Sequence, residues 1–317
     1  MSATYGHLAR MRRSWYERHP QSRRSLDHPV ISVGNLSVGG SGKTPVVATL
    51  ARLLLAMGER PAILTRGYAR RRGADGVVVV SDGQRIKEPV DVSGDEPQML
   101  ARELPGVPVL VCPDRYLAGR LAERQMRCSV LLLDDGFQHL PLGRSADIVL
   151  LPVSDLDDAV LPSGRLREPL DSASSADCLL VPGSDEDVAR VQATFDRMPV
   201  FRVTHHYDAP RTLDGATPPG TRVVAVAGIA RPGRFFDALR VRGYDVAREL
   251  RFPDHHWFTR DDLDRIAAVA RETRADFTVA TAKDAVRLPA GHGWSVLPMQ
   301  AVIEPADRFA AWLRDRL

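Results

Sequence analysis

Apolar residues fall along this chain in short continuous blocks, separated by amphipathic or polar stretches. VISVGN, PAILT, GVVVVSD, VPVLV, VLLLDD, DIVLLP and CLLVP succeed one another between about residues 30 and 195. Runs of this length, rich in β-branched residues and without alternation, suit parallel strands covered on both faces. Between the first two, PVVATLARLLLAMG reads as a helix, with Pro45 near its first turn and Gly58 at its end. The alternation predicts a doubly wound, mostly parallel α/β sheet over residues 29–204. HHYDAPRTLDGATPPGT, over 205–221, is polar, rich in Pro and Gly and without helical period, and reads as a linker. Beyond it TRVVAVAG, GRFFDALRVRG, DVARELRF, TRDDLDRIAAVARETRA, DFTVATA and ADRFAAWLRDRL repeat the strand–helix rhythm. They predict a second, smaller α/β domain over 222–317 that closes a cleft against the first.

Residues 1–28 stand apart. At 100° per residue, Tyr5, Leu8, Met11, Trp15 and Tyr16 share one arc of a helix, and Arg10, Arg13 and Glu17 face away from it. Arg12 interrupts the apolar arc, though a long arginine can snorkel. Six arginines against Glu17 and Asp27 give this arm a charge of 6 − 2 = +4, whereas the whole chain carries +3, so the remainder is near −1. A nucleic-acid binder is usually basic over a whole domain; here the basic character belongs to one arm, so no nucleic-acid partner is expected. Aromatic residues on one side and arginines around them suit the interface of an anionic membrane. The other reading is a surface helix packed on its own domain.

At 317 residues, 44% hydrophobic and 26% charged, the chain has the make-up of an ordinary globular protein with room for two domains. No apolar run approaches the roughly 18 residues of a membrane span. No signal-peptide core follows the first methionine, which points to the cytoplasm. Cys112, Cys128 and Cys178 are scattered and odd in number, against a disulfide framework or a zinc site.

The chemistry starts at GNLSVGGSGKTP, residues 34–45. Gly42, Lys43 and Thr44 match the end of the phosphate-loop pattern G-x-x-x-x-G-K-[ST], Ser37 takes the place of its first glycine, and Gly39 and Gly40 supply backbone freedom. The loop follows a predicted strand and opens a predicted helix. Its amide groups are expected to hold a β-phosphate, Lys43 to reach the β/γ oxygens and Thr44 to offer its hydroxyl to Mg²⁺. Asp134 and Asp135 end the apolar run VLLL and supply the acidic partner such a loop needs for its metal. A base could come from SGDEP (Asp95, Glu96), CPDR (Asp114, Arg115) or FPDHH (Asp254, His255, His256), and spacing does not choose among them. Guanine readers use N-K-x-D; the chain's one asparagine is Asn35 and the spacing of TAKD at 281–284 fails, which favours ATP.

VISVGNLSVGGSGKTP, ILTRGYARR, SGDEPQMLA, DRY, LLLDDGFQHL, LPSGRLREP, VAGIARPGRFF, FPDHHWF and TAKDAV, in this order, resemble the tetraacyldisaccharide 4′-kinase family of lipid A biosynthesis. The resemblance spans about residues 5–290. Ala69, Leu140 and Ala282 depart from common family residues without touching a position assigned to catalysis. The resemblance implies ATP-dependent transfer of the γ-phosphoryl group to the 4′-hydroxyl of a tetraacylated glucosamine disaccharide 1-phosphate, giving lipid IV-A. It also implies a peripheral protein on the cytoplasmic face of the inner membrane, in contact with anionic lipids. By resemblance, Asp95 is the general base assisted by His255, with Lys43 acting on the transferred group. Gly39, Gly40, Ser41, Gly42, Lys43, Thr44, Glu96, His139, Arg167 and Glu168 surround ATP, and Thr44, Asp134 and Asp135 hold Mg²⁺. The competing class is a phosphate-loop switch or metallochaperone that hydrolyses nucleotide without a lipid acceptor. It accounts for the glycine loop and acid pair, but not for the N-terminal arm together with the SGDEP and FPDHH blocks.

Overall fold

The computed structural model describes residues 2–40, 42–68, 70–289 and 293–317. The chain begins with helix α1 (Ser2–Arg18), β1 (Val30–Asn35), α2 (Lys43–Ala56), β2 (Pro61–Thr65) and β3 (Val78–Asp82). Next come the short α3 (Val90–Ser93), α4 (Asp95–Glu103), β4 (Pro108–Val111), α5 (Arg115–Gln125), β5 (Val130–Asp134), β6 (Ala146–Leu150) and β7 (Cys178–Pro182). Helix α6 (Asp185–Thr194) leads to the long β8 (Val200–Tyr207). The rest comprises β9 (Arg211–Thr212), β10 (Arg222–Ala227), α7 (Pro232–Val241), β11 (Asp245–Arg251), α8 (Arg260–Glu272), β12 (Phe277–Thr281) and the single turn α9 (Ala282–Ala285). Strands β13 (Trp294–Leu297) and β14 (Met299–Glu304) and helix α10 (Ala306–Arg314) complete it.

Two sheets result. The larger has nine strands in the order β14-β8-β7-β6-β1-β5-β2-β4-β3, and the smaller has five in the order β11-β10-β12-β13-β9. In the larger sheet β1, β2, β4, β5, β6, β7 and β8 run parallel, and the continuous apolar blocks are buried on both faces as their composition requires. One face packs Val46, Val47, Leu50 and Leu54 of α2 with Leu100 of α4 and Phe309 of α10; another cluster gathers Leu131, Leu133, Ala118 and Ala122. β1 lies between β5 and β6, so the chain leaves it in both directions, and the loop after β1 opens into the crevice where doubly wound sheets bind ligands.

Two boundaries differ from the sequence reading. β3 enters as an antiparallel edge strand rather than a parallel one. Residues 299–317 do not belong to the second domain: β14 pairs antiparallel with β8 over Met299–Glu304, and Phe309, Trp312 and Leu313 of α10 pack into the core of the larger sheet. The second unit therefore hangs from the first by two connections, β8 leading out and β14 leading back. The segment read as a linker starts inside β8 and supplies β9, which pairs with β13.

Helix α1 packs on its own domain by its polar side. Gly6 and Arg13 are its buried residues, and Tyr5, Leu8, Met11 and Trp15 are 40%, 60%, 54% and 43% exposed. Arg13 donates to both carboxylate oxygens of Glu168 at 2.6 and 2.9 Å and to the carbonyl of Phe137 at 3.3 Å, its guanidinium 4.0 Å from the Phe137 ring centre. Arg10 pairs with Asp171, and Ser175 donates to Glu17. A buried ion pair that loses one partner leaves an unmatched charge, at a cost of about 3–5 kcal/mol. Chemical unfolding is therefore expected to show Arg13→Met destabilised by about that amount. The double change Arg13→Met with Glu168→Leu is expected to be markedly less destabilised than Arg13→Met alone.

Candidate active site

The loop after β1 turns on glycine. Gly39 and Gly42 have φ of 102° and 86°, and a Cβ on Gly42 would lie 2.8 Å from Nε2 of His205. Gly42 caps α2, whose first residues are Lys43 and Thr44, so the loop runs directly into the amino end of a helix, the end that favours anions. Ser41 lies outside the described residues, as does Ala69. The Lys43 ammonium donates to Asn35 Oδ1 at 2.9 Å and stands 3.5 Å from Asp135 Oδ1. Asn35, the last residue of β1, is fully buried and thus joins the strand end to the lysine.

Asp134 ends β5, and Asp135 follows in the left-handed region at φ 55°. Arg167 clamps Asp135 with two hydrogen bonds, 2.9 and 3.2 Å, and also donates to Asn35 Oδ1 at 3.0 Å. Lys43 and Arg167 outweigh the burial of Asp135 and hold its carboxyl below the usual range. Asp134 goes the other way. Burial, with the charges of Glu96 and Asp135, pushes it up to about 7.

Asp95 opens α4 behind Gly94, which takes φ 89° where Tyr68 and Arg70 crowd it. The carboxylate is buried, and His255 Nδ1 lies 2.8 Å from its Oδ2. The partners are 160 residues apart: Asp95 opens α4 of the larger unit, and His255 lies in the loop after β11 of the smaller. Burial alone would raise the Asp95 carboxyl; the hydrogen bond from His255 and the charges of Lys283 and Arg287 overcome it and hold the group low. His255 itself sits in the left-handed region at φ 59°, its amide bonded to the Gly228 carbonyl at 3.2 Å. Strain of this kind persists where the surroundings fix a side chain firmly. Beside the pair opens a cleft of about 390 Å³ lined by Arg66, Tyr68 and Arg70, with the Tyr68 ring against His255. Among the described residues, Nη1 of Arg70 is buried without a hydrogen-bond partner.

The other acid loops have structural duties. Asp114 caps α5 through the Tyr116 amide and pairs with Arg24 at 2.7 Å. His256 bonds Asp262 at 2.9 Å and stacks on Phe252. His139 lies among Arg115, Asp114, Arg144 and Arg24; burial and the Arg115 charge push it down to about 4. Glu168 is engaged by Arg13 of α1, while its neighbour Arg167 reaches Asp135. Thr44 sits in the first turn of α2, and Glu96 is within the same charge cluster as Asp134 and Lys283. Asn35, Lys283 and Arg287 were not singled out from sequence as site residues, yet all three touch groups that were.

A glycine loop at the switch point of a doubly wound sheet, with an acid pair closing the neighbouring strand, defines a phosphate-loop nucleotide enzyme, and the second sheet brings a histidine to it. The model of the tetraacyldisaccharide-1-phosphate 4′-kinase family matches residues 1–317. The chain belongs to that family, and so is a kinase. It is 40% identical over 310 residues to the tetraacyldisaccharide 4′-kinase of Geobacter sulfurreducens, covering 95% of this chain and 86% of the relative. The enzyme of the same name from Syntrophus aciditrophicus is 39% identical over 319 residues, covering 93% and 83%. The solved "apo" form of LpxK from Aquifex aeolicus, in complex with ATP, superposes with a TM-score of 0.84 at 32% identity, covering 99% of this chain and 96% of that one.

Gly42→Ala is expected to weaken ATP binding at least tenfold while the chain stays folded. A left-handed non-glycine residue costs roughly 1–2 kcal/mol, and the added methyl would also displace the loop from His205. Calorimetric titration with a non-hydrolysable ATP analogue measures it; unchanged affinity would mean the loop does not need this conformation.

Proposed function

We propose that this kinase transfers the γ-phosphoryl group of ATP to the 4′-hydroxyl of a tetraacyldisaccharide 1-phosphate, yielding lipid IV-A, with Asp95 as general base. The observation that carries the reading is the Asp95–His255 hydrogen bond beside the phosphate loop. A sugar hydroxyl is a weak nucleophile, and a carboxylate kept ionised at its side can take its proton as the new O–P bond forms. The bond from the γ-phosphorus to the bridging oxygen then breaks and ADP departs. Lys43 meets the charge that spreads over the transferred group, and the loop amides with Thr44 orient the phosphates. Arg66 and Arg70 line a cleft suited to an anionic sugar.

Asp134 and Asp135 would hold Mg²⁺, with Thr44 supplying its hydroxyl. The donor set fits: the ion usually takes one or two carboxylates plus substrate phosphates, and Asp134 and Asp135 stand side by side at the end of β5. Bound there, Mg²⁺ would neutralise the β- and γ-phosphate oxygens. A switch or metallochaperone would have no use for a base pair joining two sheets, and family membership speaks against it.

Groups that act as one unit are non-additive. In an assay with labelled ATP and the lipid disaccharide, Asp95→Ala and His255→Ala are each expected to lower kcat roughly 10²–10⁴-fold. The double variant is expected to be little worse than Asp95→Ala. Independent, multiplying losses would break the pair.

The exposed stripe of Tyr5, Leu8, Met11 and Trp15 supports docking on anionic lipid at the cytoplasmic face of the inner membrane. No helix among the described residues is long and apolar enough to cross a membrane. Each basic residue near an anionic surface contributes roughly 1 kcal/mol, screened by salt. Replacing Leu8, Met11 and Trp15 with serine leaves the Arg13 anchor in place, and is expected to abolish flotation with anionic vesicles and raise the KM for lipid. Flotation at wild-type level would make the stripe a surface feature only.

A further inference from the structure

β12 ends at Thr281, whose side chain caps α9 and fixes Asp284; Asp284 in turn accepts from the Gly228 amide at 3.0 Å. The Gly228 carbonyl receives the His255 amide, so the turn carrying Lys283 and the turn carrying His255 hang from one residue. Out of this frame the Lys283 ammonium reaches into the seam between the sheets. It lies 3.3 Å from His255 Nε2, 3.4 Å from Asp254 Oδ1 and 3.5 Å from Glu96 Oε1, with its side chain only 20% exposed.

An ammonium has protons to donate and no lone pair to accept with. Set against Nε2, it makes that nitrogen the acceptor and leaves the imidazole proton on Nδ1, which faces Asp95 Oδ2 at 2.8 Å. The order of donation is then Lys283 to His255 to Asp95. Oδ2 of Asp95 is the carboxylate oxygen so engaged. The ion pair with Glu96, next to Asp95 on α4, ties the same lysine to the larger unit.

The choice of side chain is a separate observation. The chain has 43 basic residues, and Lys43, Lys87 and Lys283 are its only lysines. Lys87 pairs with Asp82 at a half-exposed turn; the other two lie at the site. A compact point charge on a flexible stem fits between Nε2 and two carboxylates, where a planar guanidinium would need more room.

We propose that Lys283 is a positioning residue for phosphoryl transfer, fixing His255 as the Nδ1-protonated tautomer so that Asp95 faces the acceptor hydroxyl as an ionised base. This rests on the reading of Asp95 as the base. The charge of Lys283 is also among those that hold the Asp95 carboxyl low. Asp95 works when deprotonated, so loss of Lys283 raises its pKa and moves the acidic limb of the pH–rate profile to higher pH.

The test uses Lys283→Cys. Cys112, Cys128 and Cys178 are all buried, so 2-bromoethylamine reacts with the introduced thiol and rebuilds a lysine-length ammonium. We expect Lys283→Cys to lower kcat by roughly 100-fold, on the scale of acid–base assistance. The KM for ATP should change much less, and the acidic limb should move up; aminoethylation should restore most of the activity and return the limb. Wild-type kcat in Lys283→Cys, or a folded variant that aminoethylation does not restore, would overturn the proposal. His255→Gln in the same assay separates the two levels: full activity there removes the base reading itself, whereas loss there beside an active Lys283→Cys removes only the role of Lys283. Long-range ¹H–¹⁵N spectra of the wild-type chain, with the His255 signal assigned by its absence in His255→Gln, need no lysine variant. They should report a proton on Nδ1, and a proton on Nε2 alone would also overturn the proposal.

Discussion

Four carboxylates converge where β5 ends and α4 begins, and their mutual repulsion in a half-dry crevice is the constraint around which the rest is arranged. Asp95, Glu96, Asp134 and Asp135 can share this space only if cations meet them. The cations come from separate parts of the chain. Lys43 arrives from the phosphate loop, Arg167 from the segment after β6, and Lys283 and Arg287 from the smaller sheet. Asp135 and Asp95 are thereby held low, and Asp134, the most buried of the four, is pushed up by that burial and by the charges of Glu96 and Asp135. The surroundings thus distinguish groups that are chemically alike: Asp135 clamped by an arginine, Asp95 paired with a histidine, Asp134 raised by burial.

This arrangement explains why two sheets are needed. The phosphate loop and the acid pair belong to the larger sheet, whereas His255, Lys283 and Arg287, which among the described residues pull Asp95 low, all come from beyond β10. Arg287 illustrates the dependence: its guanidinium is buried, bonded to Asp284 at 2.5 Å, and 3.7 Å from Asp95 Oδ2. The two connections through β8 and β14 restrain how the smaller unit can move relative to the larger.

Most strands and the phosphate loop were legible because each is a local pattern: a continuous apolar run, a cap, a glycine that must take positive φ. Thr259 and Asp262, for instance, form a reciprocal cap at the start of α8, and the chain pattern there predicts a capped helix. β14 was not legible, since MQAVIE alternates weakly and its partner β8 lies about a hundred residues earlier. TAKD was read against a guanine motif and, as TAKDAV, as one block of the family resemblance, and neither reading gave Lys283 a role. The scarcity of lysine in an arginine-rich chain was the available signal for Lys283, but it says nothing of which groups the side chain meets. Glu168 shows the converse limit. Resemblance assigns it to the nucleotide region, while the fold engages it with an arginine 155 residues earlier, a pairing no spacing rule contains.

That pairing also settles how an amphipathic helix can be attached the wrong way round. An arginine buried against a domain is costly unless its charge is met, and Arg13 has a carboxylate for Nε and Nη2, a carbonyl for the second Nη2 hydrogen and an aromatic face beneath it. With the polar face so satisfied, folding does not consume the apolar one, and Leu8, Met11 and Trp15 remain outside. The anchor points are not neutral scaffold. Arg13 holds the carbonyl of Phe137 and Arg12 that of Gln138, two and three residues beyond Asp135, and Arg144 binds the carbonyls of Gly136 and Phe137 from the other side. The loop carrying the acid pair is thereby fixed to a helix whose apolar stripe stays exposed, so a surface that captures α1 would also orient the crevice behind it.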